Sequence, residues 1–71
     1  MSNFFEIRSP NFFIIVNDEK IDVEGFLNAA LIASVAAVEV GQEQAVEITT
    51  AAGEKFYFNG TLVAFFDEFL E

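Results

Sequence analysis

From Gly25 to Val38 the chain runs fourteen residues without a charge. A segment apolar on nearly every side must be buried on nearly every side, so the rest of a short chain has to be arranged around it. Its composition predicts a central helix. Asp22 suits the N-cap of a helix beginning at Val23, Glu24 suits the positive end of its dipole, and Gly41 suits a left-handed C-cap beyond Val40. Between those signals Leu27, Leu31, Ser34, Val35 and Val38 form one stripe. Phe26, Ala30, Ala33 and Ala37 form a second stripe of mostly smaller residues, to be covered either by the C-terminal segment of the same chain or by a second copy, since small residues allow close helix approach. The far end carries a competing signal: Val35, Val38 and Val40 are β-branched, and the helix can give way to a strand near Ser34.

The same run is too short for a membrane span. Fourteen helical residues cover about 21 Å at about 1.5 Å per residue, against a hydrocarbon core of about 30 Å. The flanks are acidic, and the N-terminal stretch lacks the basic and apolar regions of a signal peptide, so the expected compartment is the cytoplasm.

Before the central run, residues 3–8 and Phe12–Val16 (FFIIV) read as two strands paired through a turn at Ser9, Pro10 and Asn11, with Arg8 opposite Phe12. FFIIV is apolar on both faces, which suits an interior strand or one covered on its second side by another molecule. Asn17 to Lys20 form a polar turn, with Ile21 adding a short return. After Gly41, Ala45–Thr50 alternates and Ala51-Ala52-Gly53 reads as a three-residue hairpin loop with Gly53 left-handed. That register sets Val46 against Phe58, Ile48 against Phe56 and Thr50 against Glu54. The last segment carries two patterns. Asn59-Gly60 is a hairpin signal, but Leu62, Phe65, Phe66, Phe69 and Leu70 fall at helical spacing behind a capping Thr61, and the helix is preferred. The expectation is one α+β domain over residues 1–71, in ββαββα order. Antiparallel hairpins would pack on the central apolar helix, with a short amphipathic helix at the C-terminal end. No family is recognised in these residues.

Charge and residue types restrict function more than they specify it. Twelve acids face three bases, for a net charge of −9, and there is neither histidine nor cysteine. Nucleophilic catalysis through Cys or His is excluded, Ser2, Ser9 and Ser34 have no activating neighbours, and no glycine-rich phosphate loop is present, so no enzyme and no cofactor are expected. The acids of NDEKIDVEG offer oxygen to a hard cation. Read as a calcium loop from Asp18, however, they put Lys20 at a ligand position and Val23 where the turn glycine belongs, so no metal site is assigned. Strong negative charge disfavours nucleic acid and anionic membrane surfaces. Ten phenylalanines without accompanying bases argue for core and interface rather than base stacking.

These features point to a small acidic protein-interaction module acting as a homodimer. Its concrete form would be an inhibitor of a basic, nucleic-acid-handling protein, of the kind a phage accessory protein supplies. The self-association surface is expected at Phe26, Ala30, Ala33 and Ala37 with Phe13 and Ile15. The acidic partner-binding surface is expected at Glu47, Asp67, Glu68 and Glu71. The alternative is a small structural subunit of a larger assembly.

Overall fold

The computed structural model describes residues 4–7 and 11–70. Among them the elements are β1 (Phe4–Ile7), β2 (Phe12–Val16), β3 (Glu19–Asp22), β4 (Gly25–Asn28), β5 (Ile32–Val40), β6 (Glu43–Thr50), β7 (Lys55–Asn59) and the short helix α1 (Leu62–Phe65), which runs on into a π-helical turn, Phe66–Leu70. The strands form a five-stranded antiparallel sheet in the order β3-β2-β7-β6-β5 and a two-stranded sheet of β1 and β4. The protein is mostly β.

The central helix does not exist, and the α+β arrangement is overturned with it. Residues 25–40 instead make two strands joined by a single 3-10 turn, Ala29–Leu31. Asn28 ends β4 by accepting the Ala30 N–H on its side-chain oxygen at 2.9 Å. Beyond the turn, Ile32 to Val40 pairs along nearly its whole length with Thr50 to Glu43, with one irregularity between Ile32 and Ser34. The alanines favour helix, but intrinsic propensity is a small term, and a full ladder of backbone bonds to β6 overrides it. Asp22 is no N-cap but the last residue of β3, opposite Phe13. Gly41 does take a positive φ, 66°, but in the two-residue turn between β5 and β6, at the position where type II′ geometry favours glycine.

The pairing of the first two strands is also corrected. β1 pairs with β4, setting Glu6 opposite Phe26 and Ile7 opposite Gly25. Both sides of β2 are already occupied, by β3 and by β7, as suits its doubly apolar sequence. The turn expected at Ser9-Pro10, with Arg8, lies outside the described residues.

The polar turn expected over Asn17 to Lys20 is shorter, since Glu19 and Lys20 already pair in β3; Asn17 and Asp18 both have positive φ, 52° and 67°, the backbone of a type I′ turn, whose twist matches the strands it joins. Other local readings hold. In the β6–β7 hairpin Val46 lies opposite Phe58 and Ile48 opposite Phe56. The Thr50 N–H donates to the Glu54 carbonyl at 2.9 Å, and Gly53 has φ 87°. Thr61 caps α1, its hydroxyl accepting the Ala64 N–H at 3.1 Å. Of the predicted apolar stripe on this helix, Phe65 is fully buried while Phe66 is exposed.

The core lies between the two sheets and under α1. Ile7 of β1 and Leu27 of β4 meet Phe12, Val46, Ile48 and Phe58 of the larger sheet, and Phe65 of α1 closes the cluster. Phe58 sits at the centre, its ring centroid 5.3 Å from that of Phe12 and 5.5 Å from that of Phe65 in tilted contacts, an arrangement that matches ring edges to ring faces. One register row, Ala36–Glu47–Tyr57–Phe13–Asp22, crosses all five strands on the opposite face. There Phe13 and Tyr57 stack at 5.5 Å and Lys20 lies 4.8 Å above the Phe13 ring. No helix among the described residues is long and apolar enough to cross a membrane.

Candidate interaction surface

Strand alternation decides which residues of β4 face out. Leu27 points into the core, while Phe26 is 73% exposed. The 3-10 turn then projects Leu31, 53% exposed, next to the β6–β7 loop. The turn and the loop are tied by one backbone bond, from the Ala51 N–H to the Leu31 carbonyl at 2.8 Å, and the loop is closed by another, from the Gly53 N–H to the Thr50 carbonyl at 2.9 Å. The Glu54 N–H adds a bond to the Thr50 hydroxyl at 3.2 Å. Between them lies an open cleft of about 500 Å³, lined by Phe26, Leu31, Phe56, the two loop alanines and Glu54.

On its other side Phe26 borders a second cleft, of about 470 Å³, lined by Glu6, Ile7, Glu24 and Gly25. Glu6 is the cross-strand partner of Phe26, so the two side chains share one surface of the small sheet. An exposed aromatic ring therefore stands between an apolar cleft and an acidic one. Chemically, this surface is suited to an apolar side chain flanked by bases.

The residues expected at a self-association surface do not form a single patch. Phe13 is buried beneath Lys20 and against Tyr57. Ile15 is 37% exposed on β2. Ala30 lies in the 3-10 turn, and Ala33 and Ala37 are exposed on β5, the last strand of the large sheet. Of the expected acidic surface, Glu47 is engaged within the chain: its carboxylate accepts the Tyr57 hydroxyl at 2.9 Å and lies 3.7 Å from Lys55. Burial, then the bond to Glu47, then its charge raise the Tyr57 phenol above its ordinary value, since each disfavours a phenolate. Asp67 and Glu68 are exposed, and Glu71 lies outside the described residues. No group of three or more potential metal-binding side chains occurs among the described residues.

Sequence reading placed Phe26 at a surface but missed Leu31, Phe56 and Glu54 as its neighbours. Nothing local brings them together: Leu31 and Phe56 line one cleft because β5, between them in the chain, pairs along β6. No protein-family model, curated protein or solved structure matches the chain.

Proposed function

We propose that this chain is a non-enzymatic, cytoplasmic protein-interaction module that acts as a homodimer and binds a basic partner through the cleft beside Phe26. Inhibition of a basic, nucleic-acid-handling protein is its concrete form. The observation that carries the reading is the exposure of Phe26 between an apolar cleft and a cleft lined by Glu6 and Glu24. Large apolar side chains left in water at a concave, partly rigid place are what a partner covers. The net charge of −9 draws in basic surfaces and repels phosphate-rich ones.

The test is a fluorescence-anisotropy titration with a labelled peptide of alternating lysine and leucine, beside a control of alternating glutamate and leucine. The lysine peptide should bind, more weakly as salt rises, and Phe26→Ser should weaken it at least tenfold while the chain stays folded. Equal binding of both peptides, or undiminished binding by Phe26→Ser, would refute the reading.

A further inference from the structure

The two edges of the large sheet are built differently. β3 is short and carries Glu19, Lys20 and Asp22 among its four residues, the usual protection of an edge against another strand. β5 is nine residues long and has no charge from Ile32 to Val38. Among the described residues it pairs with β6 alone. Its edge is therefore the long, uncharged kind that accepts a further strand.

The hydrogen-bonding direction follows from the neighbouring ladder. The Thr50 N–H points to the β7 side, where it meets the carbonyl of Glu54, the residue before β7. By alternation Ile48 and Val46 also point to β7, and Thr49, Glu47 and Ala45 point to β5. Their partners Ser34, Ala36 and Val38 point back to β6. The N–H and C=O of Val35, Ala37 and Glu39 are left on the outer edge.

We propose that this edge is the homodimer interface: β5 pairs antiparallel with β5 of a second copy about a two-fold axis at Ala37. The inference rests on the homodimer reading above and gives it a surface. Pairing about Ala37 sets Ala37 against itself and Val35 against Glu39 of the second copy. The two Glu39 side chains then lie about 13 Å apart along the strands, four residues at about 3.3 Å each. About six backbone hydrogen bonds join the copies, two for each hydrogen-bonded pair. The apolar row Ala37–Val46–Phe58–Phe12 continues through the axis into its own repeat, making one ten-stranded sheet. A second copy also fits the charge pattern. A basic strand finds no counter-charge from Ile32 to Val38, whereas another β5 brings an uncharged edge of the same length and opposes no like charges.

Light scattering after size exclusion should give a dimer, tighter in high salt because each copy carries −9. Ala37→Lys places two like charges opposite each other and should weaken dimerisation at least tenfold in a chain that still melts cooperatively. Ala37→Cys should oxidise to a covalent dimer without unfolding, because residues in a hydrogen-bonded antiparallel pair lie about 5.5 Å apart, within disulfide reach. Ala52→Cys, on the β6–β7 loop, should not. A monomeric wild type at every concentration and salt would overturn both this interface and the homodimer reading. A dimer that survives Ala37→Lys, or fails to cross-link through Ala37→Cys, would overturn the edge pairing alone.

Discussion

The hydroxyl of Tyr57 donates to the carboxylate of Glu47 across the β6–β7 ladder at 2.9 Å, and the two residues are direct register partners. The bond holds the phenol in its neutral form. Burial and the adjacent carboxylate raise its pKa above the usual value of 10.0. A group raised on folding contributes stability that is fully present below its unfolded pKa and is lost as pH rises through the folded one. The contribution of Tyr57 should therefore be fully present and independent of pH near neutrality, and should be lost as pH rises above about 10. Because Tyr57 is the only tyrosine and there is no tryptophan, phenolate absorbance reports it alone, and its midpoint should lie above that of the unfolded chain. Tyr57→Phe should cost about 1 kcal/mol at neutral pH and remove its share of the alkaline loss, both measured by denaturant melts.

Two glycines should resist substitution for different reasons. At Gly53 a Cβ meets open space, but φ is 87°, and a β-branched residue is strained there. Gly53→Val should cost about 1–3 kcal/mol. At Gly60 a Cβ would come within 2.9 Å of Phe58 Cε2, in a ring held by Phe12 and Phe65. Gly60→Ala should cost about 1–3 kcal/mol through overpacking. Chemical denaturation of the two variants separates these effects from neutral surface changes, which stay within about 0.5 kcal/mol.

Asp18 has a positive φ without being glycine. Asp18→Gly turns Asn17-Asp18 into Asn-Gly, the sequence best suited to a type I′ turn. The variant should gain about 0.5 kcal/mol, the relief of left-handed strain exceeding the added freedom of the unfolded chain. A rise in thermal midpoint of a few degrees is the expected reading.

Phe65 is the fully buried side chain of α1, with Leu62 packed partly buried against the same core. Phe65→Ala should cost about 3–5 kcal/mol, a large share of the roughly 5–15 kcal/mol available to a small domain. Thr61→Ala should cost only about 1 kcal/mol, the value of one N-cap bond. The ratio of the two, read from urea melts, tests whether the helix is held by its anchor or by its cap.

Several elements could be read locally because their determinants are local. The β6–β7 register follows from the alternation of Val46, Ile48 and Thr50 around a loop that needs Gly53. The interior position of β2 follows from FFIIV, and the helical turn after Thr61 from its cap and the spacing of Leu62 and Phe65. The candidate site was less legible. Phe26 appeared as part of an alanine-lined helix stripe rather than as an isolated ring on β4, and Glu47 appeared as a surface acid although it holds Tyr57.

The sequence by itself determined the turn at Asn17-Asp18, the β6–β7 register and the charge, but not the pairing of β1 or the hairpin turn at Gly41. The expectation that Gly25 to Val38 is buried on nearly every side is overturned: Leu27 alone in that run is buried, and Phe26 and Leu31 stand exposed. Tertiary structure alone decided how the run is held. An uncharged run rich in alanine and valine satisfies its backbone equally well within a helix or along a neighbouring strand, and only the presence of β6, an edge with its own unpaired N–H and C=O groups, settles the choice for strand. That choice released residues 25–28 to pair with β1, placed Phe26 beside the β6–β7 loop, and left the uncharged outer edge of β5 at the border of the sheet.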